Sequence, residues 1–142
     1  MTYITATYCR VMLGTTTVNA LTDTTTGVLT QLIAAADAVV VGAVQHAGYV
    51  APSTTTGTPN PDVRLASFGQ WVAMAYARKG IDIPAQWKQA VELADRMRNG
   101  THAPNGLVPN AQNAVGGSQF SDTATTSSTT YAPVLTRWNM RF

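Results

Sequence analysis

The stretch VLTQLIAAADAVVVGAVQHA, residues 28–47, decides the architecture: its apolar side chains recur at Leu29, Leu32, Ile33, Ala36, Val39, Val40, Ala43, Val44 and Ala47. Spacings of three and four residues place them on one face of an amphipathic helix. The Val39-Val40-Val41 triplet works against that helix, because β-branched side chains lose rotamer freedom there, so packing must hold the turn. The alanines allow a neighbour to approach closely. Gln31, Asp37, Gln45 and His46 interrupt the run, and alanine rather than leucine dominates it, so it reads as the helix of a soluble protein and not a membrane span. Residues 24–26 are threonines that supply an N-cap, while Gly48 and Pro52 stop the helix.

Towards the N-terminus, residues 2–14 contain Tyr3, Ile4, Tyr8, Val11, Met12 and Leu13, with Thr5 or Thr7 placed to cap a short helix ending at Gly14. The Thr15-Thr16-Thr17 run favours extended backbone, and residues 18–23 add a short turn of helix. Towards the C-terminus, residues 53–61 form a Thr/Gly/Pro loop. Asn60 then caps a second helix with Pro61 at its first position and Asp62 beside the positive end of the dipole. That helix runs to about Lys79, with Leu65, Phe68 or Gly69, Val72, Ala73, Tyr76 and Ala77 facing inward and Gly80 beyond its end. Pro84 opens a third helix through Trp87, Val91, Ala94 and Met97, closed by Arg96, Arg98 and Asn99-Gly100, with Glu92 and Arg96 as an i, i+4 pair. The expected fold is mainly α, a small bundle of three to four helices with an extended C-terminal tail.

Composition narrows the function. The chain has 142 residues, enough for one modest core. Only 11% of residues are charged, against roughly a quarter in ordinary soluble proteins, while 45% are hydrophobic. A formal net charge of +2 is too small for a dedicated nucleic-acid binder, and so poorly charged a surface points to cover by other protein. Cys9 is the single cysteine, which excludes an internal disulfide and reads as a small buried apolar residue. The N-terminus has neither a basic nor an apolar signal region, so export is not expected.

Beyond Thr101 the character changes. The organisation expected is a helical domain over 1–103, a flexible polar tether over 104–130 and a docking segment over 131–142. That last segment concentrates Tyr131, Leu135, Arg137, Trp138, Met140, Arg141 and Phe142, residue types enriched at protein interfaces. A polar tether with an anchor-rich end implies a partner.

The chemical candidates fall short of an enzyme. His46 and His102 lack a second ligand at metal spacing. Asp37, alone among the acids in the long helix, has no convergent partner for general-acid work and reads as a solvent-facing or intersubunit ion pair. Helix starts and charge pairs account for Asp62, Asp82, Glu92 and Asp95. Gly116-Gly117-Ser118 has no strand before it and no helix after it, so it is linker and not a phosphate loop. Asn99-Gly100-Thr101 is a helix cap. Arg78, Lys79, Arg96 and Arg98 sit where helix C-termini attract cations, and Trp71, Tyr76 and Trp87 read as core. No catalytic, cofactor-binding or metal-binding set emerges, and none of these functions is expected.

The order of elements is similar to that of a known group. A short N-terminal helix, Leu21-Thr22-Asp23, a long alanine-rich helix ending near Gly48-Tyr49, a Pro-rich loop, a helix after Pro61 and a Trp-bearing helix ending Arg-Asn-Gly resemble the Mu-like head-completion group. These are head-tail adaptor, or connector, proteins of tailed bacteriophages. The closing Leu-Thr-Arg-Trp-Asn-Met-Arg-Phe also resembles that group's C-terminus, so the resemblance covers about residues 2–109 and the last dozen. The first long helix carries less charge than is usual there, and the 54–58 loop and the 110–130 stretch are distinctive.

The resemblance implies a non-enzymatic virion protein at the head-tail junction, made in the host cytoplasm. It implies a homo-oligomeric ring, a dodecamer, that docks on the portal protein and presents a platform to neck and tail proteins. DNA would pass through its lumen without sequence-specific binding, and no membrane is involved. By the same analogy Tyr131, Leu135, Arg137, Trp138, Met140, Arg141 and Phe142 would contact the portal or a neighbouring subunit. The alternatives are another neck component, a head-closure or tail-terminator protein, which tend to be β-rich, or a small helical DNA-binding or regulatory module.

Overall fold

A computed structural model describes residues 2–52 and 59–110. The described part is all helical: α1 (Ala6–Leu13), α2 (Thr15–Thr22), α3 (Thr26–His46), α4 (Pro61–Lys79), a 3-10 turn at Ala85–Trp87, and α5 (Lys88–Arg98). Helices α3, α4 and α5 pack against one another as the body of the bundle, and the α1–α2 pair covers one end of it, touching α3 and α4. This is the mainly α bundle that the apolar periodicity predicts. The helical unit extends over Met1–Val108.

Side-chain caps open α1 and α4, whereas Thr25 precedes α3 without the capping bond expected of the threonine run. The Thr5 hydroxyl accepts the Tyr8 N–H at 3.1 Å to open α1, and the Asn60 side chain accepts the N–H groups of Asp62 and Val63 at 3.0 and 3.2 Å to open α4. Gly80 closes α4 in the left-handed conformation, with φ 66°, where a side chain would be strained. The Thr15-Thr16-Thr17 run departs from expectation. It is the first turn of α2, because Gly14 at φ 90° turns the chain and its carbonyl accepts the Val18 N–H at 3.1 Å, overriding the β preference of threonine.

The C-terminus of α2 is held from α4. Asp23 and Thr24 both adopt positive φ, 54° and 62°, and Arg78 secures the turn by donating to the Leu21 carbonyl at 2.9 Å and to the Asp23 carboxylate at 2.8 Å. Lys79 donates to the other oxygen of the same carboxylate. Hydrogen bonds from Lys79 and then Arg78 hold the Asp23 carboxyl below its usual range.

Two apolar clusters fill the interior. One centres on Phe68, which meets Tyr8 and Trp87 edge-on at centroid distances of 5.7 and 5.1 Å and lies nearly parallel to Trp71 at 6.2 Å. Ile4, Cys9, Val18, Leu21, Leu29 and Ile33 close around it. The other joins Tyr3, Val40, Val44, Val63, Leu93 and Met97. The inward face of α4 is rotated from the expected one: Val63, Ala66 and Ala75 are buried, whereas Leu65 and Ala77 are exposed. The reason is that α4 is covered on two sides, by α3 and by α5, so its buried stripe is wider than one apolar period. Trp71 and Tyr76 are core, as expected, and Trp87 is half-buried against them.

After α5 the chain folds back along the start of α4. The Asn60 amide donates to the Asn105 carbonyl at 2.6 Å, the Asn105 N–H donates to Asp62 at 3.1 Å, and the Val50 N–H donates to the Val108 carbonyl at 2.8 Å. Leu107 packs on the second cluster. Residues 105–108, placed in the tether by composition, are therefore tied to the helical unit.

The tightest constraint is at Gly69. A Cβ there would lie 2.0 Å from the Ala90 carbonyl oxygen on α5, far inside contact distance and against backbone that has no freedom to move aside. Substituting Gly69→Ala is expected to cost at least ~3 kcal/mol by forcing α4 and α5 apart. Urea unfolding should show a lowered midpoint with an unchanged slope, whereas Gly42→Ala, where a Cβ meets open space, should not lower it.

Candidate functional site

Helix α3 presents two unlike faces. Inward it buries Leu29, Ile33, Ala36, Val40, Ala43 and Val44. Outward it exposes Gln31, Ala34, Ala35, Ala38, Gly42 and Gln45, a face without a single formal charge. Helix α5 is the contrast: Arg96 pairs with Glu92 at 3.0 Å and Arg98 with Asp95 at 3.3 Å on its solvated side. A helix that faces water for its whole length ordinarily carries such residues. By length and composition α3 could cross a membrane, with a mean hydropathy of 1.9 over its most apolar window, of which 39% is buried inside the fold.

Asp37 breaks the apolar sequence of α3 at its middle. It is 6% exposed, which corrects the solvent-facing alternative of the expected ion pair. The reason is its register: it lies four residues after Ile33 and three before Val40, on the face that packs against α4. One carboxylate oxygen accepts the Tyr3 backbone N–H at 3.0 Å, and the other accepts the hydroxyl of Ser67, which is fully buried on α4. A single side chain thus joins α3, α4 and the segment preceding α1. The Tyr3 hydroxyl donates to the Pro52 carbonyl at 2.9 Å, extending this tie to the chain beyond α3.

Beside this junction a groove of about 410 Å³ opens on the outward face, lined by Tyr3, Asp37, Ala38, Val41, Gly42 and Gln45. Apart from Asp37, its one carboxylate, the lining is uncharged, with Ala34, Ala38 and Gly42 its smallest residues. That chemistry suits an apolar segment bearing a cation or a hydrogen-bond donor. The Ser67 hydroxyl donates a hydrogen bond to Asp37, and no histidine or lysine joins the pair among the described residues, so the arrangement clamps helices.

The other candidates are accounted for locally. Cys9 is fully buried, and desolvation pushes its thiol up to about 12, the character of a core residue and not of a nucleophile. His102 lies 3.4 Å from Asp62, and His46 is exposed on the last turn of α3. Among the described residues no three His, Cys, Asp or Glu side chains gather as a metal site would require. Arg78, Lys79, Arg96 and Arg98 all engage neighbouring carboxylates. Tyr131, Leu135, Arg137, Trp138, Met140, Arg141 and Phe142 lie outside the described residues. Ser67, Tyr3 and Gly42 were not singled out by their sequence context, although Ser67, four residues from both Val63 and Trp71, sits in register with the buried stripe of α4.

Comparison with protein-family models, with curated proteins and with solved structures found no match.

Burial raises the Asp37 carboxyl above its ordinary 3.8, outweighing the bonds from Ser67 and the Tyr3 N–H and the pull of the chain's amino terminus. The fold therefore favours the neutral acid. Its contribution is complete below the unfolded value near 3.8 and is lost as pH rises through the higher folded value. Urea titrations of the wild type and Asp37→Asn between about pH 4 and about pH 7 should show the wild type losing ground to the variant as pH rises. A pH-independent difference between the two would refute this account of the junction.

Proposed function

We propose that this chain is a structural virion protein that assembles as a ring between the capsid portal and the neck or tail of a tailed bacteriophage, with DNA passing through the lumen. The observation that carries this reading is the uncharged outward face of α3. A subunit of a closed ring is covered on two flanks by copies of itself, so it needs exposed surface that tolerates loss of water, and small uncharged side chains lose little on burial. The ring would be a dodecamer, the portal and the neck or tail proteins its partners, and the head-tail junction its place.

Two further features support the same reading. The C-terminal ends of α4 and α5 hold their basic side chains in ion pairs, so those ends offer no open cationic stripe to a duplex, which suits a channel that DNA must traverse without sticking. The helical character of the described residues suits an adaptor better than the β-rich head-closure and tail-terminator proteins. The anchors in 131–142 would reach the portal or a neighbouring subunit. No catalytic role is proposed.

The test is electron microscopy of capsids from the phage that encodes the chain, emptied or DNA-filled, incubated with the full chain or with a chain ending at Thr130. Full-length protein should add a symmetric ring at one vertex, and the shortened chain should not. Full-length protein that leaves the vertex bare would overturn the adaptor reading.

A further inference from the structure

We infer that the groove on α3 is a docking site for an arginine-bearing peptide, and that its occupant is the 131–142 segment of a second copy of this chain. The inference rests on the self-assembly part of the function proposed above and names the contact that would make it.

Charge complementarity selects the occupant. Asp23 is paired with Arg78 and Lys79, Asp62 with His102, Glu92 with Arg96 and Asp95 with Arg98, while Asp82 is exposed to water. Asp37, the buried acid, has no arginine, lysine or histidine partner among the described residues. The amino terminus acts on it only as the smallest of its influences. Each Asp37 oxygen accepts one hydrogen bond, from Ser67 or from the Tyr3 N–H, and a carboxylate has room for about four. A guanidinium can take the remaining sites and favour the ionised carboxylate that burial otherwise disfavours.

The segment 131–142 supplies that chemistry twice, at Arg137 and Arg141, with Trp138 and Met140 between them to lie on the short apolar walls. Ala34, Ala38 and Gly42 leave the groove shallow and uncharged, so Asp37 is the feature that discriminates among ligands. One chain therefore carries both halves of a complementary pair, an acid-floored apolar groove and a cationic aromatic segment. Such a contact is head-to-tail, the kind that generates rings when its rotation closes.

Gly42 provides the means of testing it. A Cβ at Gly42 meets nothing within 4 Å, so Gly42→Gln projects into the groove without touching the core, and loss of a mid-helix glycine favours α3. A fluorescent peptide of residues 131–142 is titrated with the full chain at concentrations below its assembly transition, followed by anisotropy. Self-association of the full chain is followed by sedimentation, and thermal melts by circular dichroism confirm that each variant is folded.

The expected result is saturable peptide binding, weakened about tenfold or more by Gly42→Gln, by Asp37→Asn and by a peptide with Arg137→Gln and Arg141→Gln. Concentration-dependent assembly should be lost in folded Gly42→Gln. If Asp37→Asn does not fold, Gly42→Gln decides the matter. Absence of peptide binding, or binding and assembly indifferent to Gly42→Gln, overturns the inference. So does a Gly42→Gln chain that still assembles but no longer binds capsids, which assigns the groove to a foreign partner, and so does evidence that each tail fills its own groove in a monomer. A chain that assembles through the groove yet ignores capsids leaves this inference standing and removes the adaptor reading.

Discussion

Gly69 lets the α4 backbone rest against the Ala90 carbonyl of α5, and the rest of the bundle is arranged around that approach. Phe68 and Trp71 on α4 are buried beside that approach, Phe68 edge-on to Trp87 just ahead of α5, and the rest of their surface needs further cover. The cover is the α1–α2 pair and the first half of α3, which deliver Tyr8, Cys9, Val18, Leu21, Leu29 and Ile33 to the aromatic cluster. Arg78 and Lys79 then secure the α2 turn through Asp23, so the end of α4 fixes the element that caps its middle.

Much of this was legible in the sequence because capping is local. Thr5, Asn60-Pro61 and Gly80 act on backbone groups within a few residues, and the structure uses them as their chemistry predicts. The misreadings share a different cause. Thr15-Thr16-Thr17 became helical because Gly14 redirected the chain, and Leu65 was left exposed because α4 has neighbours on two sides. Neither fact is contained in a single helical period. Asp37 differs: its register among Ile33, Ala36 and Val40 places it on the buried face, yet an acid with no visible partner nearby in sequence reads as a solvent-facing or intersubunit ion pair. Its partners, Ser67 and the Tyr3 N–H, are separated from it by 30 and 34 positions, and only the fold brings them together.

The distribution of charge bears on function more directly than any motif. In the last turns of α4 and α5, cations are matched by carboxylates. Surface pairs of this kind contribute little to stability, roughly 0–1 kcal/mol each, but they keep these surfaces hydrated and locally neutral. The outward face of α3 has no such groups, so the protein divides into a side suited to water and a side suited to cover. The groove beside Asp37 lies on the second side.

Any surface that meets that side has to accommodate Asp37. A helix with the length and hydropathy of α3 meets the compositional test for a membrane span, but an ionisable side chain near the centre of such a span costs about 2.5–3.5 kcal/mol on insertion scales and ordinarily faces a partner within the membrane protein. Here the carboxylate meets Ser67 on α4 and the Tyr3 N–H of the segment before α1, and α3 already spends its other buried residues on the neighbouring helices. Lipid offers nothing to the unused acceptor sites of a carboxylate at a groove floor. A protein segment carrying a guanidinium satisfies both requirements at once, removing water from the alanine face and supplying the missing positive charge. The same two demands, an uncharged wall and an acid at its base, therefore favour a polypeptide over a bilayer as the surface that meets α3.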